Sequence, residues 1–470
     1  MDFLARISDI VGQKNILTGR DAEPYGTDWM KTHVGTPRAV VRPANTKELS
    51  QLLRAASDSG TPVVPVGGNT GLVGGTHAPG KIMVSLERLN RIREIRAQSR
   101  IAIVEAGTIL SNIHAAAEAE ALYFPLFFGA RGSATIGGAL STNAGGSNVL
   151  RYGNTRALCL GLEVVLADGR VMNLMSELHK DNSGYDLKDL FIGAEGTLGI
   201  ITAAVMKLVP LPRAHATAMI AARSLPAALD LLNVLQDVTG GLVEAFEYMP
   251  RSYLERLRLV RPDLTPPLGH DRDTTILVEL GATAPRDSAV ADDGSVPLVG
   301  LLEDALAQAI GDGLANDAVV ARSQKDRLGM WAMREAAAEI TFGRTPHVDF
   351  DVALPLEKVA LFLARAQDCL NEIDPKADTN CVAHLGDGNV HFTVWPSRDD
   401  ADLITRIHAE IDAVSVALGG SFSAEHGTGL SKLGTMRRGK DPVALDVMRA
   451  LKKTLDPENI LNPGKVLPDG

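Results

Sequence analysis

The sequence predicts an α+β protein of two domains, and three observations carry that expectation. Its 470 residues exceed a single domain of roughly 150 by about threefold. Hydrophobic residues make up 45% and charged ones 22%, a balance that can bury large cores and excludes a disordered chain. The texture also changes near residue 209: before it, short β-branched runs alternate with helical patterns and clustered glycines; after it, long helical patterns alternate with strand-like stretches. Domains are therefore expected at 1–209 and 210–424, with 425–470 returning to the first.

In chain order, MDFLARISDIVGQKNILTGR reads as an amphipathic helix lacking the sustained apolar centre of a signal peptide. Asp2 and Asp9 argue against a mitochondrial presequence, so a cytoplasmic location is expected. Strands are expected at 39–43 (AVVRP), 62–66 (PVVPV), 101–107 (IAIVEAG) and 162–169 (LEVVLADG), with helices at 46–60 and 109–120. Farther on, AALDLLNVLQDV, LLEDALAQAI, VALFLARAQDCL and LITRIHAEIDAVSVAL are helical patterns, TTILVEL and DVALPL strand-like, and AVADDGSVPLVG a surface loop.

Composition narrows the function. A net charge of −10 argues against nucleic acid, whose phosphates call for a basic face. Only Cys159, Cys369 and Cys381 occur, with no C-x-x-C pair, which argues against a zinc ribbon, a redox dithiol or an iron–sulfur cluster. No uninterrupted apolar run approaches about 18 residues, so no membrane span is expected.

Residues 67–75 (GGNTGLVGG) hold five glycines and 129–146 (GARGSATIGGALSTNAGG) hold six. Glycine-rich loops after strands leave backbone amides free to face an anion, which implies a phosphate or pyrophosphate ligand. No G-x-G-x-x-G follows a strand, so a dinucleotide turn is not supported. The P-loop spacing from Gly75 to Lys81 fails because Ile82 replaces the required Ser or Thr and Pro79 interrupts it.

The motifs PVGGNTGL (65–72), IGGALSTNAGG (136–146), RYGN (151–154), LEVVLADG (162–169), GAEGTLGIIT (193–202) and LNPGK (461–465) occur in this order. Together they resemble the vanillyl-alcohol oxidase/p-cresol methylhydroxylase flavoproteins, and within them the D-lactate and D-2-hydroxyglutarate dehydrogenase branch. The resemblance implies a two-domain vanillyl-alcohol-oxidase-type FAD-binding fold with an α+β substrate cap, the active site lying where the domains meet. It places the FAD pyrophosphate on Val66, Gly67, Gly68, Asn69, Thr70, Gly71 and Leu72, with Pro65 also in the cofactor site. The flavin would touch Gly132, Ser133, Thr135, Ile136, Gly137, Gly138, Thr142, Asn143, Gly145 and Gly146, together with Glu195, Gly196, Gly199, Ile200 and Ile201, with Tyr152 and Gly153 also in the cofactor site. Asn462, with Lys465, would approach the isoalloxazine edge. Relatives that bind FAD covalently do so through His, Cys or Tyr side chains, and the usual histidine falls in the first glycine loop. Asn69 stands at that position and His77 lies just downstream, so non-covalent FAD is expected.

In TNCVAHLGDGNVHFTVW (379–395), Asp387-Gly388 has the composition of a two-residue hairpin turn. That turn would pair His384 directly with His391 on one side of the hairpin, with Cα atoms about 5.5 Å apart or a little less. Two imidazoles so placed can chelate one ion. Glu425 in FSAEHGTG (422–429) offers a carboxylate, and two imidazoles, one carboxylate and an open position describe a catalytic Zn²⁺ site, with Mn²⁺ or Co²⁺ also suited. The motifs HLGDGNVH and AEHG also resemble the metal-binding motifs of the branch, which carries His384, His391 and Glu425 over as ligands.

Oxidising a 2-hydroxy acid removes a hydroxyl proton and transfers the α-hydride to flavin N5. His426, beside Glu425, is the natural general base. Asn389 is offered equally to the substrate carboxylate and to the hairpin turn. Arg334 in WAMRE (331–335) resembles the family arginine that grips the substrate carboxylate through two parallel donors, and Trp331 and Met333 beside it point to a partly buried setting. In 2-hydroxyglutarate dehydrogenases a Thr four residues after that arginine and a Lys two before the D-x-[SA]-L-P strand hold the distal carboxylate. Here Ala338 and Asp349 stand there, with Arg344 and His347 as the nearest compensating residues. A second carboxylate beside Asp349 is disfavoured, which favours D-lactate or another monocarboxylic or hydrophobic D-2-hydroxy acid.

Three rivals make distinct predictions. A flavin oxidase would form peroxide under air, a metal-dependent hydrolase would be colourless, and a non-catalytic electron-transfer subunit would be yellow yet unbleached by any hydroxy acid. The dehydrogenase reading requires an external acceptor (an electron-transfer flavoprotein, a quinone or a cytochrome), and a homodimer is the expected assembly.

Overall fold

The computed structural model describes residues 3–292 and 294–469, and these divide into two compact units. Asp2 lies outside the described residues, as does Asp293 of the expected 290–300 loop. The first unit comprises Met1–Gly145, Asn154–Pro210 and Glu425–Gly470; the second comprises Gly146–Gly153 and Leu211–Ala424. The sequence offered no sign that 146–153 groups with the second unit.

The first unit holds two main sheets. Ile16–Leu17, Ala39–Val41, Ile82–Ser85 and Val63–Val66 form one, parallel among its last three strands. Thr46–Ser59 is a helix because Asn45 caps Glu48 N, Glu48 in turn accepts from Ala44 N, and Gly60 closes the far end in the left-handed region. Its Leu49, Leu52, Leu53, Ala55 and Ala56 form the buried stripe. The tail is bound in by backbone, with Val63 N donating to Ile460 O and Asn462 N to Val63 O. The second sheet is antiparallel, in the order Ile92–Arg96, Ile101–Glu105, Ile200–Lys207, Cys159–Val165, Val171–Leu174. At the N-terminus the helix is short, Phe3–Val11, because Gly12 ends it at φ 81°.

The second unit is one seven-stranded antiparallel sheet in the order Ala315–Val320, Ala214–Ala222, Thr274–Ala282, Val243–Pro250, Asp378–His384, Asn389–Trp395, Val348–Ala353. Strand alternation sends Phe246, Ile276, Val278, Ala383, Val390 and Phe392 to one face. The helices Leu225–Thr239, Pro297–Gly311, Val359–Ile373 and Ala401–Ala417 cover that face. Pro297–Gly311 starts inside the stretch read as a loop, Pro297 being suited to a first helical turn. The opposite face carries Met219, Met249, Leu277 and Val382, packed by Arg251–Val260, Gln324–Glu335 and Ala337–Phe342. Glu247, His384 and His391 lie on this second face.

Candidate active site

On the second unit's sheet, Glu247 stands opposite His384 in the strand register. Its Oε1 lies 2.8 Å from His384 Nδ1 and its Oε2 accepts from Arg334 Nε at 2.8 Å. Glu247 is 1% exposed. Burial pushes its carboxyl up, but the His384 and Arg334 charges outweigh burial and hold it below the usual range. Arg334, in the last turn of its helix, is 8% exposed, and its Nη2 is a buried donor without a partner among the described residues. That helix end is itself held, since Tyr253 donates its hydroxyl to Met333 O at 2.6 Å.

The His384 and His391 rings sit 5.4 Å apart, edge to face. Behind His391, Asp351 Oδ1 lies 3.8 Å from Nδ1. Each histidine thus has a buried carboxylate on its Nδ1 side, which leaves Nε2 as the atom that could face an ion. The donor set fits a divalent ion. Another His/Glu/Glu group, His215 with Glu244 and Glu279, is already spent. Glu244 accepts from Arg151 and Tyr152, and Glu279 from Arg327, Trp331 and Thr217.

The hairpin carrying the histidines differs from the expected one. Its turn has four residues, 385–388, closed by Gly388 N donating to His384 O at 3.1 Å. His384 therefore pairs with Asn389, and His391 with Val382. The histidines are diagonal rather than direct partners, still on one face. The physical reason lies at Gly388: its φ is 79°, and a Cβ there would meet Leu354 O at 2.2 Å, so the turn is built around one glycine pressed on a neighbouring backbone. Asn389 Nδ2 donates to Asp351 Oδ1 at 3.0 Å and to Val352 O at 3.1 Å. Of its two offered roles, these bonds favour holding the hairpin and Asp351.

In the first unit the two glycine clusters pack on each other. A Cβ on Gly67 would lie 2.3 Å from Thr135 Oγ1, and one on Gly68 2.0 Å from Ser133 O, whereas Gly71, Gly129 and Gly132 face open space. The backbone amides of Gly68, Asn69, Thr70, Gly71 and Leu72 make no hydrogen bond among the described residues. A row of unspent amides on an open glycine loop fits a pyrophosphate. Asn69 is tied to Thr27 O and Thr76. Asn462 Nδ2 donates to Gly75 O and Glu195 O, while its buried Oδ1 has no partner among the described residues. Lys465 Nζ donates to His77 O at 2.9 Å, and burial, helped by Lys81, lowers its pKa to about 8.

Two family models match the chain: the FAD binding domain over residues 37–175 and the FAD linked oxidases, C-terminal domain, over 211–466. It is 34% identical to the mitochondrial D-2-hydroxyglutarate dehydrogenase of Bos taurus, over 99% of this chain and 84% of that one. It is also 34% identical to the D-2-hydroxyglutarate dehydrogenase of Xanthomonas citri pv. viticola, over 95% of this chain and 92% of that one. The chain belongs to the FAD-dependent D-2-hydroxyacid dehydrogenase family. Among solved structures, p-cresol methylhydroxylase with substrate bound matches with a TM-score of 0.76 at 17% identity, covering 99% of this chain and 96% of that one. The 4-ethylphenol oxidase of Gulosibacter chungangensis matches at 0.72 and 18%, covering 99% and 97%. These likenesses establish the two-domain vanillyl-alcohol-oxidase-type fold.

Several residues assigned to the cofactor of this FAD-linked dehydrogenase have other employment. Tyr152 donates its hydroxyl to Glu244 at 2.6 Å, and Gly146, Tyr152 and Gly153 group with the second unit. Thr135 caps its helix by accepting from Gly138 N, Thr142 donates to Gly138 O, and Gly137 is pressed on Ala106. Ile136, Ile200 and Ile201 are core residues, and Gly199 fits between Val164 and Phe191. Gly196 is packed on Pro65. Glu195 turns its carboxylate to Thr428 N and Gly429 N, fastening the segment that begins at Glu425 and His426 within the first unit. Burial raises its pKa despite those amides.

The position in doubt for a second substrate carboxylate is acidic. Asp349 shares a strand face with Asp351, two residues on; its Oδ1 accepts from Thr393 at 2.9 Å and its Oδ2 lies 3.3 Å from His347 Nε2. Burial raises its pKa, against the pull of His347 and Thr393. Arg344 is engaged with Asp378 at 3.0 Å rather than with Asp349. Sequence reasoning missed Glu247 and Asp351. Their signal was present: VEAFEYM and DFDVALP place charged residues inside otherwise apolar strands, where charge is rare unless paired.

Proposed function

We propose that this enzyme oxidises the hydroxyl of a D-2-hydroxy acid to the 2-oxo acid and passes the electrons to an external acceptor (an electron-transfer flavoprotein, a quinone or a cytochrome). The observation that carries the reading is Arg334, whose buried Nη2 has no partner among the described residues and sits in the same polar cluster as the histidine pair. A buried guanidinium edge of this kind is built for a carboxylate. The names of the relatives, D-2-hydroxyglutarate dehydrogenases, support the substrate class.

In this reading Arg334 binds the C1 carboxylate and His384 and His391 hold a divalent ion, most naturally Zn²⁺, with Mn²⁺ or Co²⁺ also suited. Glu425 is assigned as third ligand and His426 as the base that takes the hydroxyl proton, both from the AEHG motif. The amides of 68–72 and Asn462 hold non-covalent FAD. When bound, the flavin supplies the electron sink and the ion the positive charge that eases loss of the hydroxyl proton. Asp349 at the distal position favours D-lactate or another monocarboxylic D-2-hydroxy acid over D-2-hydroxyglutarate.

The test is anaerobic. Zinc-loaded yellow protein is mixed separately with D-lactate, D-2-hydroxyglutarate and their L-enantiomers, and the flavin absorbance is followed. Bleaching by D-lactate faster than by D-2-hydroxyglutarate is expected, with the L-acids inert. Equal or faster reduction by D-2-hydroxyglutarate removes the role given to Asp349, and a colourless protein removes the whole reading.

A further inference from the structure

The geometry points to Glu247 as a positioning residue that sets both the metal-facing ring of His384 and the carboxylate-facing edge of Arg334. The inference rests on the reading of those two residues given above and adds what holds them. Glu247 comes from a central strand and His384 from the neighbouring one, paired directly, so the 2.8 Å contact is set by sheet register rather than by a flexible reach. A carboxylate facing Nδ1 keeps the proton on that nitrogen and turns the Nε2 lone pair outward, as metal-binding histidines require. The second oxygen of the same carboxylate takes Arg334 Nε at 2.8 Å. With Nε held there, the planar guanidinium is restrained, and with it the direction of Nη2, which has no partner among the described residues. One anion therefore aligns two hydrogen-bond donors on different elements, a strand and a helix. Asp351 behind His391 is a weaker counterpart at 3.8 Å, and it also accepts from Asn389 Nδ2.

The test uses the full flavin-loaded chain, freed of metal by chelation and titrated with Zn²⁺ alone. Glu247→Gln is expected to weaken Zn²⁺ binding by roughly 10- to 100-fold, the usual effect of losing such a partner, and to raise KM for D-lactate about tenfold. In an Arg334→Lys background the Zn²⁺ effect of Glu247→Gln should persist while its KM effect disappears. Glu279→Gln removes another buried carboxylate from the same sheet, bonded to Arg327 and Trp331. It should lower stability yet leave Zn²⁺ affinity unchanged, which separates positioning from general damage. Should Glu247→Gln not fold, Glu247→Asp keeps the charge but cannot span both partners, and it too should weaken Zn²⁺ binding. Wild-type chain that takes up no Zn²⁺ overturns the reading of the histidine pair and this inference with it. Wild-type uptake matched by a folded Glu247→Gln or Glu247→Asp variant overturns the role of Glu247 alone.

Discussion

Arg334 and Asp349 are both ionisable, and both sit among the polar groups of one sheet face. Arg334 is neutralised on one side by Glu247 and left with an unspent donor edge on the other. Lysine at that position keeps the charge but loses the planar fork. Arg334→Lys should therefore raise KM for the hydroxy acid by at least about tenfold, a charge-assisted hydrogen bond being worth about 1.5–3 kcal/mol, while kcat falls less; steady-state kinetics resolve the two. Asp349 carries a raised pKa caused first by burial. Its folded form holds the proton more firmly than the unfolded chain does. Its contribution to stability is thus full below the unfolded value, about 3.9, and is lost as pH rises through the higher folded value. Asp349→Asn should match wild type in melting temperature near pH 4 and exceed it at pH 8. A difference constant across that range would show that Asp349 does not titrate as its burial implies. These residue-scale features were only partly legible. The arginine stood out beside Trp331 and Met333, but Glu247 lies 87 residues away from it and meets it only through the sheet.

The hairpin of 378–395 shows how an element can be misread and its two histidines still stay together on one face. Aspartate-glycine between apolar runs has the composition of a two-residue turn, yet the chain makes a four-residue turn at 385–388. The difference shifts the pairing by two residues, and because side chains alternate with period two, an even shift keeps every residue on its face. His384 and His391 so remain neighbours, with rings 5.4 Å apart; a shift of one would have sent one of them into the opposite core. What the sequence could not show is Leu354, whose carbonyl presses on Gly388 from another segment. That contact makes the turn testable. Gly388→Ala meets both a positive φ of 79° and a Cβ only 2.2 Å from Leu354 O. It should cost about 2 kcal/mol or more and weaken Zn²⁺ binding, whereas Asp387→Asn should leave the turn intact. Thermal melts alongside Zn²⁺ titration check both. Unaltered metal affinity in a folded Gly388→Ala variant would show that the turn does not set the histidine pair.

For the whole molecule, the legible part was the order of its punctuated motifs and the change of texture after residue 209; the unread part was contact at long range. Nothing local marks Gly146–Gly153 as part of the second unit, because the bonds that hold it there run from Arg151 and Tyr152 to Glu244, more than 90 residues on. The same distinction sorts the glycines, which composition treats alike. Gly68 exists so that the first glycine loop can touch Ser133 O, where a Cβ would lie 2.0 Å away, while Gly71 has nothing within 4 Å and borders the unspent amides. A ligand that binds only the native state stabilises it by mass action, about 2.7 kcal/mol at a hundredfold excess over Kd. Adding FAD to deflavinated wild-type chain should therefore raise its melting temperature by several degrees. Gly68→Ala pushes the two glycine loops apart and should abolish that rise along with the yellow colour. Gly71→Ala leaves the loops in place and adds a methyl only at the edge of the ligand space, so it should retain FAD with a weakened Kd and a smaller rise. The opposite order, with Gly68→Ala tolerated and Gly71→Ala colourless, would mean that the pyrophosphate approaches the first loop from the Gly68 side, and that the open space at Gly71 is not where it binds.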